Sequence, residues 1–217
     1  MCYRGGAPGA SPTLAAVRPT APPGDRLPAS LGPVAVLVPV KSFRRAKLRL
    51  APALDGPERA ALARAMAERV LHATGGLPCA VVCDDPEVAA WALAQGAGVV
   101  WQPGRGLDRA VQSGVARLGA AGAVQVIVAH ADLPLATDVS FTARFAGVTL
   151  VPDRREDGTN VACVPVAAGF RFAYGPGSFA RHQAEAVRLG LALRIARQAQ
   201  LAWDVDVPDD LLPAGRR

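Results

Sequence analysis

Residues 34–50 read VAVLVPVKSFRRAKLRL, a continuous apolar run followed at once by a basic loop. An apolar stretch without alternation is what a strand buried on both faces requires, as in a parallel sheet covered by helices. In open sheets of that kind ligands bind beyond the carboxyl ends of the strands. Lys41, Lys47 and Arg49 stand just there, placed to grip a polyanion and to neutralise charge as it builds on a departing group. A solvated surface loop is the plainer account of the same charges, and Arg44 and Arg45 fit it equally well. The sequence holds no GxxxxGK[ST] motif, so a P-loop is excluded.

Outward from this segment the pattern repeats. A helix is expected from near Pro57, with Leu62, Met66 and Val70 spaced four apart on one face. Residues 79–83 (CAVVC) read as a second strand, ended by Asp84-Asp85-Pro86. Residues 87–95 read as a helix closed by Gly96, residues 98–101 as a short strand and residues 107–118 as a helix. Residues 124–129 (VQVIVA) form a third core strand running into His130-Ala131-Asp132-Leu133-Pro134. Strand and helix alternate with short connections, the mark of right-handed βαβ units. The rest is less regular: strands at 148–151 and 161–166 flanking a polar loop at 153–160, a Gly-Pro-Gly-Ser turn at 175–178 opening a helix that ends at Gly190, then segments at 191–196 and 203–207. The expected fold class is α/β, a three-layer sandwich with a mostly parallel sheet and an appended β-rich substrate region.

Composition narrows the partners. The chain has 217 residues, 51% hydrophobic but only 5% aromatic, and a formal charge of +6, which favours anionic ligands. Nucleic acid and a small phosphorylated substrate both satisfy that charge. Cys2, Cys79, Cys83 and Cys163 form no CxxC pair and read as thiols of a reducing cytoplasm. No apolar run reaches the roughly 18 residues of a membrane span. Residues 1–32, rich in Pro, Ala and Gly, are expected to be a disordered leader without chemistry, and residues 33–213 the single domain.

Several polar groups follow the strands. Asp132 stands where an apolar strand ends, a position suited to holding a hard cation such as Mg²⁺, although a turn cap is the commoner role. Asp204 and Asp206, two apart, share one face of an extended strand, where their charges repel unless a cation sits between them. Asp209 and Asp210 are assigned to capping a terminal helix. Ser178, as an N-cap after Gly175 and Gly177, leaves helix N–H groups free for an anion. Thr159 and Asn160 follow Gly158 in what is by itself a turn signal and carry groups able to bind a carboxylate or phosphate, while the stretch from Gly104 through Gly106 to Asp108 opens a helix and is either a contact for a base or ribose or only a tight turn. His130 and His182 read as ordinary polar or core histidines.

Taken in order, Val38-Pro39-Val40-Lys41, Ala46-Lys47-Leu48-Arg49-Leu50, Cys83-Asp84-Asp85-Pro86, Ala131-Asp132-Leu133-Pro134, Asp157-Gly158-Thr159-Asn160, Gly175-Pro176-Gly177-Ser178-Phe179 and Asp204-Val205-Asp206-Val207-Pro208 resemble the 2-phospho-L-lactate guanylyltransferase family, whose bacterial members include phosphoenolpyruvate guanylyltransferases. Each motif is weak singly, and their joint order is specific; the match spans about residues 34 to 212. The resemblance implies a GT-A-like nucleotidyltransferase fold, GTP as donor, Mg²⁺ as cofactor, and phosphoenolpyruvate or 2-phospho-L-lactate as acceptor in the making of coenzyme F-420. It implies Asp132, Asp204 and Asp206 as metal ligands, and a conserved lysine motif at Lys41. Thr159, Gly175 and Ser178, with Asn160 beside them, would contact the acid, and Asp84, Gly106 and Asp108 the nucleotide. Asp108 departs from the family pattern, in which Asn is common. Other nucleotidyltransferases of similar fold, taking 3-phosphoglycerate or acting as cytidylyl- or molybdopterin-guanylyltransferases, are the rival enzymes, and a basic nucleic-acid-binding domain is the rival of another kind. No membrane or nucleic-acid partner is expected, and the oligomeric state is open, with a homodimer among the options.

Overall fold

The computed structural model describes residues 24–28, 30–104 and 106–211. Its elements in chain order are β1 (Val34–Pro39), α1 (Gly56–His72), β2 (Cys79–Cys83), α2 (Pro86–Ala94), β3 (Gly98–Trp101), α3 (Leu107–Ala120), β4 (Gln125–Ala129), β5 (Val148–Pro152), β6 (Thr159–Pro165), α4 (Ser178–Arg188), β7 (Leu193–Ile195) and α5 (Ala199–Ala202). They form one seven-stranded sheet of order β3-β2-β1-β4-β6-β5-β7, in which β6 pairs antiparallel with both β4 and β5 and the other pairings are parallel.

The two-residue period of each strand divides its side chains between two cores. Val36 and Val38 of β1 pack toward α1 and α2 with Val81, Ile127, Val70 and Trp91. Ala35 and Leu37 pack on the opposite side with Val82, Val128, Val111 and Phe179 of α3 and α4. Every one of these residues is buried, which makes the sheet the middle layer of three and accounts for the uninterrupted apolar runs. Gly114 lets α3 lie directly on β1, because a Cβ there would run into the Leu37 side chain. Burial pushes the Cys83 and Cys163 thiols up to about 12, so both are packing groups.

Helix starts follow local chemistry. Asp55 and Glu58 close a capping box on α1, each side chain accepting the other's backbone N–H at 2.8 Å. Asp85 caps α2 by accepting from Glu87 N at 2.8 Å and Val88 N at 3.3 Å, which leaves its neighbour Asp84 exposed at the end of β2.

Four expectations change. The strand at 161–166 begins earlier, at Thr159, because pairing with β5 and with the chain beyond β4 continues through it: His130 N donates to Asn160 O at 3.0 Å, and Thr159 pairs with Pro152. The segment at 203–207 is extended but unpaired as a strand; Val205 N reaches only Asp132 O, at 3.3 Å, and the segment is held by side-chain packing. The N-cap of α4 is Gly177, in the left-handed region, and Ser178 is the first helical residue. Of the expected leader, residues 1–23 and 29 lie outside the described residues. Its end, however, is docked on the free edge of β3. Arg26 and Val99 exchange backbone hydrogen bonds at 2.8 and 2.7 Å, Asp25 accepts from Trp101 N and Arg117, and Leu31 is buried. An edge strand covered in this way no longer offers unpaired N–H and C=O groups. Among the described residues no helix is long and apolar enough to cross a membrane.

Candidate active site

Chain order reverses at β1, which lies between β2 and β4, so the loops after these two neighbours diverge and leave a crevice. A cleft of about 830 Å³ opens there, lined from four strand ends: Lys41 after β1, Asp84 after β2, Gly104 and Gly106 after β3, and His130 and Asp132 after β4. The basic loop closes one side with Arg45, Lys47 and Arg49, and Asp206 enters from the far end of the chain. Gly104 and Gly106, ahead of α3, have φ of 120° and 111°, a backbone that residues with a Cβ resist.

Two short 3-10 turns shape the basic loop. Phe43, in the first, stands edge-on to Trp91 with ring centroids 5.1 Å apart. Leu50, in the second, is buried with Met66 and Val205. Val205 is the residue between Asp204 and Asp206, so the loop that carries the cations is packed against the segment that carries the carboxylates. Lys47 Nζ donates to Asp132 Oδ2 at 2.6 Å and to Asp206 Oδ1 at 2.9 Å. Burial works against charge on both partners. It is outweighed by the attraction, which raises the Lys47 ammonium above its ordinary range and, with His130 assisting, holds the Asp132 carboxyl below its own.

Asp206 is positioned by groups that local spacing did not reveal. Asp210, buried, accepts the backbone N–H of Asp206 at 2.8 Å and of Val207 at 2.9 Å. Arg154 pairs with the other oxygen of Asp210, donates to the Asp204 carbonyl at 3.0 Å and lies 4.3 Å over the Trp203 ring. Asp210 is therefore not merely the cap of a terminal turn. Arg154 is far from these partners in sequence, and nothing around it marks it. Gln102, which also lines the cleft, is likewise unremarkable in sequence, and Met66 was legible only as part of an apolar helix face.

Of the three aspartates expected to hold a metal, Asp132 and Asp206 face the cleft and share one cation, whereas Asp204 lies outside the lining with Arg154 3.8 Å away. Burial, then the charges of Asp132 and Asp206, raises the Asp204 carboxyl, so the three carboxylates do feel one another. Among the described residues no three His, Cys, Asp or Glu side chains form a metal-holding group. Asp132 and Asp206 nonetheless suit a hard divalent cation. Their pairing already requires a positive charge, and Asp132 Oδ1 is buried with no hydrogen-bond partner among the described residues. Two protein carboxylates completed by phosphate oxygens and water is the arrangement such ions favour.

The cleft brings together Lys41, Lys47, Arg49, Asp84, Gly106, Asp132 and Asp206 from the expected set. It does not include the others. Asp108, at the first turn of α3, accepts from Tyr174 N at 2.7 Å and so holds the Tyr174-Gly175 segment. Thr159, Asn160 and Ser178 are buried and bonded internally. Ser178 Oγ accepts from Thr159 N at 3.1 Å, Thr159 Oγ1 meets His182 Nδ1 at 3.0 Å, and Asn160 Nδ2 donates to Leu201 O at 2.9 Å. Their side chains brace β6 against α4 and α5, outside the lining of the cleft. Gly175 is exposed, with φ of 98°, in a turn whose carbonyls, from Ala173 to Pro176, are tied by Arg181.

A cleft at the switch point of a three-layer sheet, lined by cations and by a carboxylate pair, suits a phosphorylated ligand. Solved structures share this fold. A protein described as a nucleotide-diphospho-sugar transferase from Desulfovibrio desulfuricans G20 superposes with a TM-score of 0.68 at 16% identity, over 82% of this chain and 84% of that one. CMP:2-keto-3-deoxy-manno-octonic acid synthetase superposes with a TM-score of 0.55 at 15% identity, over 82% of this chain and 95% of that one. The fold is thus the GT-A-like nucleotidyltransferase fold. The chain belongs to the family described as guanylyl transferase CofC like, whose model matches residues 34–214. It is 38% identical over 184 residues to the phosphoenolpyruvate guanylyltransferase of Sphaerobacter thermophilus, covering 81% of this chain and 89% of that protein. To that of Rubrobacter xylanophilus it is 36% identical over 187 residues, covering 82% and 91%. The chain is accordingly a guanylyltransferase.

Proposed function

We propose that this enzyme joins GMP from GTP to the phosphate of phosphoenolpyruvate, with release of pyrophosphate, as a step in the making of coenzyme F-420. The observation that carries the chemistry is a single cleft lined both by Lys41, Arg45 and Arg49 and by Asp132 and Asp206. The near-full-length likeness to phosphoenolpyruvate guanylyltransferases supports the choice of acceptor over 2-phospho-L-lactate or 3-phosphoglycerate.

In the balanced reaction an oxygen of the acceptor phosphate attacks the α-phosphorus of GTP. A phosphoanhydride bond forms, the bond to the β-phosphate breaks, and pyrophosphate leaves. The attacking group is already an anion, so no general base is required. The obstacle is repulsion between two anions and charge growing on the leaving group. Lys41, Lys47 and Arg49 answer the second by standing at the carboxyl end of β1, where they stabilise the departing pyrophosphate. Asp132 and Asp206 would hold Mg²⁺, which when bound supplies positive charge between donor and acceptor phosphates. Gly104 and Gly106, which line the cleft without side chains, would let the nucleoside approach the backbone closely, and Asp84 at the adjoining strand end would accept from its base or ribose. The reading takes the enzyme to act in the cytoplasm on small-molecule substrates, without a membrane or nucleic-acid partner.

Mass spectrometry of the products from GTP, phosphoenolpyruvate and Mg²⁺ tests the proposal. A phosphoenolpyruvate–GMP adduct is expected, and GTP left intact in the presence of folded enzyme would refute it.

A further inference from the structure

Lys47 differs from the other cations of the cleft. Among the described residues Lys41, Arg45 and Arg49 line the same space without a carboxylate within ion-pair distance, whereas Lys47 is held by two. Its side chain is only 11% exposed. Its backbone takes the left-handed region, φ 53° and ψ 41°, which residues with a Cβ rarely adopt. Phe43 and Leu50 anchor the loop on either side of it. A strained residue between two anchored turns, with its ammonium seated on two acidic groups from distant parts of the chain, is a built position rather than a surface pairing. It is also an incomplete one. A single charge faces two carboxylates, and Asp132 Oδ1 is left buried without a partner among the described residues.

From this we infer that Lys47 is a resident counter-ion, holding the carboxylate pair while the cleft lacks nucleotide and yielding it when a divalent ion and triphosphate enter together. The inference rests on the metal reading of Asp132 and Asp206. Two carboxylates and one ammonium leave a charge of −1, so a dication in place of the ammonium is favoured on charge. What opposes the exchange is the partly buried ammonium, which loses both partners at once. A triphosphate removes that opposition by offering Lys47 new anionic partners a side-chain swing away. Lys47 therefore couples the two ligands: the ion binds weakly by itself, nucleotide strengthens it, and by reciprocity the ion strengthens nucleotide. The same motion delivers the ammonium to the phosphates only when the carboxylates have been taken over.

Mn²⁺ titration of the full chain without nucleotide, read from the electron paramagnetic resonance of the free ion, tests this. Lys47→Met should bind Mn²⁺ tighter than wild type by on the order of tenfold, and Mn²⁺ should raise its Tm by more than it raises that of wild type. Lys47→Arg, which keeps a cation on the pair, should bind no tighter than wild type. Equal or weaker binding by Lys47→Met, or tighter binding by Lys47→Arg, would overturn the inference. Asp206→Asn separates the two levels. If it removes Mn²⁺ binding while Lys47→Met shows no gain, the metal reading stands and the counter-ion role falls. If it leaves binding untouched, the ion sits elsewhere and both fall.

Discussion

Asp210 Oδ2 accepts the backbone N–H of Asp206 at 2.8 Å, so the orientation of a cleft carboxylate is set by a buried neighbour that does not itself line the cleft. Arg154 fixes Asp210 in turn, and Val205 packs the same segment onto Leu50 and Met66.

Asp210→Asn should therefore act through position. One oxygen of Asp210 takes both backbone N–H groups and the other takes Arg154; an amide can serve only one of these sites and loses the charge that pairs with Arg154, so kcat should fall by roughly tenfold with little change in KM for GTP. Mn²⁺ affinity should fall in parallel, which a general loss of stability would not cause in protein that remains folded. Steady-state kinetics with ion titration check this, and an unchanged kcat would contradict it.

Asp206→Asn removes charge from the cleft itself. Turnover should drop by roughly 100-fold or more, while circular dichroism stays that of wild type. A normal rate with normal Mg²⁺ dependence would contradict the assignment of Asp206 as a metal ligand.

Asn160→Ala distinguishes a brace from a substrate contact. Loss of the amide leaves the Leu201 carbonyl without its buried donor, at a cost of about 1–3 kcal/mol, readable as a lowered denaturation midpoint. KM for the acid should stay within about twofold of wild type, because the side chain is engaged with α5. A large rise in KM would restore the direct contact that the sequence motif suggested.

His182 makes stability depend on pH. Burial first, then the charges of His130 and Arg181, push it down to about 4, against the opposite pull of Asp108 and Glu185. Its Nε2 accepts from Ala173 N at 2.9 Å, which places the ring proton on Nδ1 toward Thr159. The folded state thus resists protonation more than the unfolded chain does. The neutral ring's contribution is fully present above pH 6.5, is lost as pH falls toward 4, and amounts to on the order of 3 kcal/mol. Denaturant midpoints at pH 7 and pH 4.5 should converge for wild type and His182→Gln as pH falls. A constant difference between the two proteins would contradict the buried neutral histidine.

The parts of the molecule that could be read from sequence share a physical basis. Strands such as Cys79–Cys83 and Gly98–Trp101 are buried on both faces, so composition alone marks them, and the helix starts near Pro57 and Glu87 were legible because their signals are local, although the caps Asp55 and Asp85 were not singled out. The position of Lys41, Lys47, Arg49 and Asp132 followed from the rule that strand ends meet at the ligand. What escaped were contacts across long sequence separations: Arg154 on Asp210, Asp108 on Tyr174, and the docking of Asp25 and Arg26 on β3. The motif at Thr159, Asn160 and Ser178 was visible as a pattern, but no spacing reveals that the start of an antiparallel strand and the first turn of α4 bury those side chains against each other. Asp204 and Asp206 share a face only if the backbone is a strand, and the irregular segment that carries them sends Asp206 alone into the cleft.

The central claim is GTP-dependent transfer to a phosphorylated acid. It is tested most directly by pyrophosphate release from purified enzyme with Mg²⁺, offering phosphoenolpyruvate, 2-phospho-L-lactate and 3-phosphoglycerate one at a time, with ATP and CTP as alternative donors. Release with GTP and phosphoenolpyruvate, well above every other pairing, is the predicted result. Release with none of the acids, or equally with all three donors, would contradict it.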